Sequence, residues 1–216
     1  MLSTRMRLPL GVLALVLLRG AFASPASAHP HVWITVQTTV LHDHGAFVGL
    51  GYTWTFDEAY TAMAIEGLDK NKDGIYDRAE LAELAKVNID GLKDFSYFTY
   101  AFLAGRKLGT GEASDYWLEH KGGLLTLHFT LPFANPVPAD AKGLAFTIHD
   151  PEFFVAFELA ETDAVKLGAG APKGCAAKVA EPEQKPGDGS ALGELQAQLG
   201  AFGDGLKVVS VDCSGP

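Results

Sequence analysis

The sequence is poor in cysteine and in positive charge, and it has only one long apolar run. Its 216 residues hold 2 Cys, and 17 Lys and Arg against 26 Asp and Glu, for a formal charge of −9 at pH 7. Two cysteines with no CxxC and no Cys/His cluster give no support to a thiolate zinc site or a thioredoxin-like redox motif. An acidic chain without basic clusters repels phosphate backbones and anionic lipid, which excludes a nucleic-acid binder. GxSxG, HExxH, P-loop and nucleotide-binding glycine fingerprints are missing, so no catalytic residue and no organic cofactor site is assigned. Internal repeats and low-complexity tracts are missing too.

The one apolar run, Leu8 to Leu18, follows Arg5 and Arg7 and precedes Ser24-Pro25-Ala26-Ser27-Ala28. This is the layout of a secretory signal peptide with an A-x-A cleavage site after Ala28. The run is too short to cross a bilayer core of about 30 Å as a helix, and no later run approaches the roughly 20 residues required. A periplasmic, soluble mature protein is expected. Removing residues 1–28 removes Arg5, Arg7 and Arg19 and no acid, leaving 14 basic and 26 acidic side chains and a charge of −12.

Residues 29–216 are of a length that favours a single domain. From His31 to Phe56 a short-period pattern rich in Val, Ile, Thr, Tyr and Trp, broken at His42-Asp43-His44-Gly45, predicts two antiparallel strands and a hairpin turn. Between Asp57 and Gly91 the spacing lengthens, with Tyr60, Met63, Ala64 and Leu68 and then Leu81, Leu84 and Ala85. That predicts a helix-loop-helix insertion over 57–91. Strand-like runs return at Phe95 to Leu103, Tyr116 to His120, Leu124 to Phe133, Leu144 to Ile148 and Phe153 to Leu159, separated by Gly105, Gly109 to Gly111, Gly122-Gly123 and Pro136-Val137-Pro138. Those separators suit turns. Glu181 to Ser190 reads as a surface loop, Ala191 to Leu199 as a short helix and Leu206 to Val211 as a last strand. The fold expected is α+β: an antiparallel β-sandwich-like body with an inserted EF-hand-like helix-loop-helix, and a C-terminal segment, 166–216, tied by a disulfide. In an oxidising compartment Cys175 and Cys213 most simply form that bridge, worth about 3–4 kcal/mol for such a loop, with a metal or redox pair as the alternative.

Asp69-Lys70-Asn71-Lys72-Asp73-Gly74-Ile75-Tyr76-Asp77-Arg78-Ala79-Glu80 fits the calcium loop D-x-[DN]-x-[DN]-G-x₅-E. Asp69, Asn71 and Asp73 would supply side-chain oxygens, Ile75 its carbonyl, Asp77 a water-relayed ligand and Glu80 both carboxylate oxygens. Crowded carboxylates repel one another unless a cation offsets them, and hard oxygen donors select Ca²⁺. The plain alternative is an acidic, solvated turn. Since one such loop is visible, a structural ion is expected ahead of a switch.

Cleavage after Ala28 would make His29 the first residue of His29-Pro30-His31-Val32-Trp33. A terminal amine and an imidazole can together chelate a transition ion, and His31 would extend the nitrogen set towards Cu²⁺, Zn²⁺ or Ni²⁺. The N-terminal copper/nickel site that uses deprotonated amides is blocked, because Pro30 has no amide hydrogen. His42 and His44 would share one strand face and could join a metal site, or simply occupy a solvated turn. His120 and His128, on predicted neighbouring strands, and His149, at a strand-to-turn junction, read as surface or cross-strand residues. Asp57 is placed to cap the first insertion helix and Glu58 to favour its dipole.

The ordered set of a signal peptide, His29-Pro30-His31-Val32-Trp33-Ile34, Trp54-Thr55-Phe56-Asp57-Glu58, the Asp69 to Glu80 loop and Asp150-Pro151-Glu152-Phe153-Phe154 resembles a bacterial family of exported proteins of unknown function. Some members of that family are labelled the periplasmic component of an uncharacterised ABC-type transport system. The resemblance spans roughly residues 28–160 and leaves out the tail from about Lys166, the His42/His44 pair and His149. It implies a link to zinc, nickel or cobalt transport; with copper added from the histidine chemistry, a membrane metal transporter is the partner expected. The function expected is therefore a periplasmic, non-enzymatic metal-binding accessory protein. The alternative is a calcium-stabilised extracytoplasmic interaction module that binds no transition metal. A copper enzyme built on the terminal His would be a third class, but a metal site alone does not specify chemistry.

Overall fold

A computed structural model describes residues 30–180 and 206–213. The expected signal segment, His29, the expected 181–190 loop and the expected 191–199 helix lie outside the described residues. Strand accounts for 49% of what is described and helix for 14%, so the α+β expectation is overturned in favour of a mostly β fold of two sheets.

The chain begins with β1 (Val32–Asp43) and β2 (Ala46–Phe56), joined at His44 and Gly45, whose φ values are +45° and +82°. Two short helices follow, α1 (Glu58–Ala64) and α2 (Ala82–Lys93), then β3 (Thr99–Leu103), β4 (Arg106–Leu108), β5 (Ser114–Lys121) and β6 (Leu124–Pro138). The last elements are β7 (Leu144–Ile148), β8 (Val155–Leu159), β9 (Val165–Leu167), β10 (Ala176–Ala180) and β11 (Val208–Asp212). The first sheet runs β5-β6-β2-β1-β8 with β9 also on β1, and the second runs β10-β11-β7-β3-β4. Pairing is not all antiparallel: β8 and β9 both lie parallel to β1.

One core joins the sheets. Alternation along β1, β2 and β6 points Val36, Leu50, Trp54, Leu127 and Phe129 inward, against Phe146 and Val209 of the second sheet. The Trp54 and Phe157 rings meet at 5.1 Å. Tyr52 bonds Thr99 across the sheets at 3.0 Å, and burial, only partly offset by that bond, pushes the Tyr52 hydroxyl far above its ordinary value. At the bulge between Phe47 and Gly49 the strands approach so closely that a Cβ on Gly49 would lie 2.6 Å from the Leu131 carbonyl oxygen. Residues 136–138, expected to turn, instead prolong β6, with Val137 opposite Phe47.

The expected EF-hand-like insertion is corrected. Helix α1 stops at Ala64, before the acidic loop begins, and α2 starts at Ala82, beyond Glu80. Positive φ at Gly67, Lys72 and Gly74 breaks helical continuity between them. The helical spacing of Met63 and Leu68 is therefore not a helix face, and Met63 is exposed. Both helices instead pack on the β body. Leu81, Ala85 and Ile89 enter the core, and the Thr61 hydroxyl accepts the Leu125 amide at 3.0 Å.

The C-terminal strand is an inner one. β11 pairs β7 on one side and β10 on the other. Ala176 faces Asp212 in that ladder, so Cys175 and Cys213 come opposite each other and form the disulfide. Among the described residues no helix is long and apolar enough to cross a membrane. A disulfide accords with an exported protein.

Candidate functional site

Three segments distant in sequence meet where β1 enters the first sheet. The His31 amide donates to the Phe154 carbonyl at 2.9 Å, and the parallel register then sets Val32 beside Val155. The Asp57 amide donates to the Trp33 carbonyl at 3.0 Å, while the Trp33 amide donates to Asp57 Oδ2 at 2.7 Å. Asp57 Oδ1 accepts the Tyr60 amide at 2.9 Å and so caps α1. Burial raises the Asp57 carboxyl's pKa, but the amides of Trp33, Tyr60 and Ala59 and its own amide outweigh that and hold it below 3.8.

Asp150 organises the third segment. Its carboxylate is buried, Oδ1 accepting the Glu152 amide and Oδ2 the amides of Phe154 and Val155, each at 2.9 Å. The tight turn this imposes puts Phe153 at φ +57°, an uncommon conformation for an aromatic residue. Phe153 and Phe154 are left 65% and 58% exposed, side by side.

Between this turn and α2 runs an apolar groove of about 440 Å³. Leu84, Val87, Gly91 and Phe95 line it from the helix side, and Phe154 and Val155 from the turn. Val87 and Phe95 are 58% and 55% exposed. The Tyr60 hydroxyl donates to Asn88 at 2.8 Å, tying α1 to α2 within the groove. Phe98, also in its lining, belongs to a turn in which Ser96, Tyr97 and Phe98 all have positive φ, 54°, 52° and 47°. Left-handed backbone costs roughly 1–2 kcal/mol per residue. The bonds that hold it are Phe98 N–H to Phe95 O, Thr99 hydroxyl to Tyr97 O, and Ala113 N–H to the Tyr97 hydroxyl. The turn stacks the Phe95 and Phe98 rings at 5.3 Å. A second cavity, of about 560 Å³, shares Asp150 and Val155 with the groove and is lined by Phe153.

The described histidines do not assemble. His31 is exposed, its ring 4.6 Å from that of Phe154 at the groove's edge. His42 lies at the far end of β1, about 35 Å away at strand rise, edge-on to Phe47, and His44 is solvated beside Asp43. His120 faces Tyr76, whereas His128 stacks on Trp117 at 4.0 Å and contacts Glu119 and Thr53. His120 pairs with the inward-pointing Leu125, so His120 and His128 occupy opposite faces of the sheet. His149 stacks on Tyr100. Burial lowers its pKa below 6.5, and the charge of Asp150 opposes that in part.

In the 69–80 loop the carboxylates face the loop's own amides. Asp69 accepts from Asp73 and Gly74, Glu80 from Lys70, Asn71 and Asp77, and Asp77 from Ala79 and Glu80. Ile75 is exposed, and its amide donates to Asp73. Among the described residues no three His, Cys, Asp or Glu side chains converge as a metal-holding group.

Asn88, Phe95 and the left-handed turn escaped the sequence pattern. The stripe 84, 87/88, 91, 95 does carry a helical signal across Gly91, where the expected insertion was taken to end. Asp57 and Asp150 are legible as motif residues, but their joint role depends on β1 lying between β2 and β8.

Fold and site together define a two-sheet β protein with an exposed apolar groove at the junction of its motif segments. The chain belongs to a family described as protein of unknown function (DUF1007), whose sequence profile matches residues 13–204. That match covers much of the tail as well as the motif segments. An uncharacterised protein of Haemophilus influenzae is 28% identical over 169 residues, covering 77% of this chain and 80% of the relative. An uncharacterised 15.5 kDa protein in the trpE 3′ region of Spirochaeta aurantia is 32% identical over 86 residues, 40% of this chain and 61% of the relative.

Proposed function

We propose that this protein is an exported, periplasmic accessory protein that works by docking on a partner, with the α2–Phe154 groove as its working surface. The carrying observation is the groove itself: Val87, Phe95 and Phe154 are each more than half exposed along one concavity. Large apolar side chains grouped in this way mark interaction surfaces. The Asp57 and Asp150 carboxylates, bonded to backbone amides, fix the start of α1 and the turn that carries Phe154. The test is a photo-crosslinking residue at Val87 or at Thr39, on the outer face of the first sheet, in the full chain within its native host. A discrete adduct from position 87 that Phe154→Asp abolishes is expected. Equal adducts from both positions, or none from 87, would refute docking at the groove.

A transition-metal role is the second reading, favoured by His31, whose exposed ring lies at the groove's edge. With His29 at a processed terminus, a Cu²⁺, Zn²⁺ or Ni²⁺ ion would sit beside the docking surface, where a membrane metal transporter could receive it. Calorimetric titration of N-terminally sequenced protein tests this, with His31→Ala expected to weaken binding at least tenfold. Calcium at Asp69, Asn71, Asp73, Ile75, Asp77 and Glu80 belongs to the same proposal. It is supported by the loop's complete donor set, and its test is a Ca²⁺-dependent rise in Tm that Glu80→Ala removes.

A further inference from the structure

Resting on the docking reading above, we infer that the element received by the groove is a basic amphipathic α-helix of a partner protein, laid along α2. Three observations on the groove select that occupant.

The first is Gly91. It lies within α2 and lines the groove, and a Cβ built on it would meet nothing within 4 Å. Glycine disfavours a helix interior relative to alanine, and no contact among the described residues requires it here. A missing side chain in the wall of a groove lets another backbone come close, as small residues do between packed helices.

The second is charge. The exposed charged side chain of the lining is Glu152, Asp150 being buried on its amides, and the lining has no Lys or Arg. On the helix surface Val87 is flanked at i−4 by Glu83 and at i+3 by Asp90, with Asp94 next along the same stripe. Lys86 offsets Asp90, and Lys93 turns away to Glu112. Glu83, Asp94 and Glu152 make no ion pair among the described residues. This rim repels an anionic membrane surface and attracts a cationic protein segment.

The third is length. From Leu84 to Phe95 the stripe runs about 16 Å at 1.5 Å per residue, long enough for partner anchors at i, i+4 and i+7. A cationic helix with apolar residues at that spacing meets apolar lining along its buried side and carboxylates along its flanks.

The experiment uses the ¹⁵N-labelled full chain and three probes. One is a helical peptide of about five turns, with Leu at the anchor positions and Lys elsewhere. The second is the same peptide with Glu in place of Lys, and the third is phosphatidylglycerol-containing vesicles. The Lys peptide is expected to shift the amides of Val87, Gly91, Phe95 and Phe154, and to bind about tenfold more weakly when salt is raised from roughly 0.05 to 0.2 M. Gly91→Ala should raise Tm by about 2–4 °C, showing that the helix itself gains from a side chain. Gly91→Leu should remain folded, by its amide spectrum, and weaken the peptide at least tenfold.

Equal binding of the Glu peptide, groove shifts caused by vesicles, or a Gly91→Leu protein that binds as the wild type does would each overturn the inference. So would a Lys peptide that leaves the groove amides unmoved. The Val87 crosslink separates the two claims. If that adduct persists while the peptide test fails, docking stands and the basic helix falls; if the adduct is missing, the docking reading itself has failed.

Discussion

Asp57 and Trp33 are bonded in both directions: the backbone amide of Asp57 donates to the Trp33 carbonyl, and the backbone amide of Trp33 donates to the Asp57 carboxylate. One side chain thereby closes the β1 end of the first sheet and caps α1 through Tyr60. Asp57→Ala should cost about 2 kcal/mol, a lost cap together with a lost charge-assisted bond. Asp57→Asn, which retains an acceptor oxygen, should lose about half as much. Urea unfolding measures both, and an Ala variant as stable as the wild type would remove Asp57 from the account of how the site is held.

Asp150 is the stronger case, because its carboxylate is buried and serves three amides. Asp150→Ala strands those donors and should cost on the order of 3 kcal/mol. The amides of Phe154 and Val155 should exchange with solvent much faster in the variant. Unchanged exchange there would mean that the turn stands without its carboxylate.

Gly49 has no room for a side chain, since the atoms a Cβ would strike are backbone, Leu131 O at 2.6 Å and Pro132 Cα at 2.8 Å. Gly49→Ala should destabilise by about 2–3 kcal/mol, opposite in sign to Gly91→Ala in α2. Thermal melts of the pair provide the comparison, and a Gly49→Ala protein as stable as wild type would show that β2 and β6 can part at the bulge without cost.

Acid should weaken the fold in two stages. His149 has a folded pKa below 6.5, so folding favours its neutral form. Its contribution is complete above pH 6.5 and declines as pH falls through the lowered value. Asp57 has a folded pKa below 3.8, so its contribution is complete above pH 3.8 and is lost only beneath it. Urea midpoints against pH should show the upper stage vanish in His149→Gln and the lower one shrink in Asp57→Asn. A His149→Gln profile that still declines from pH 6.5 would assign that stage to another group.

Reducing the Cys175–Cys213 bridge, or replacing both cysteines by serine, should lower stability by about 3–4 kcal/mol, as expected for residues 38 apart in sequence. Melts with and without a reductant read it directly, and identical curves would show that the β10–β11 ladder alone holds the tail.

Local patterns carried the longer strands and the turn at His44-Gly45, because alternation and hairpin glycines are signals contained within a few residues. They misled at 57–91, where helical spacing around Met63 and Leu68 coincides with a chain that leaves the helix at Ile65. The short strands β4, β9 and β10 are specified by their partners and not by their own composition; Val165-Lys166-Leu167 is a strand because β1 offers it an edge. Of the site, Asp57 was legible as a cap and the β1–β2 hairpin as a pair of strands, but the bond to Trp33 depends on the register that sets Ile34 opposite Phe56. The groove as a whole was not legible, though one wall carries a helical stripe. Its two walls come from α2 and from the Asp150 turn, far apart along the chain, and the left-handed Ser96–Phe98 geometry has no glycine to announce it.

The place of β11 bears on when this protein can finish folding. It is the last of the described strands along the sequence, yet it sits inside the second sheet with β10 on one flank and β7 on the other. Synthesis must pass Asp212 before that sheet can gain its inner member, and long-range pairing of this kind is slow. Until then β7 has an open edge and the core lacks Val209 and Val211. The second sheet therefore closes only once β11 has joined β7, made about 60 residues earlier, so its inner pairing is the late step of the fold.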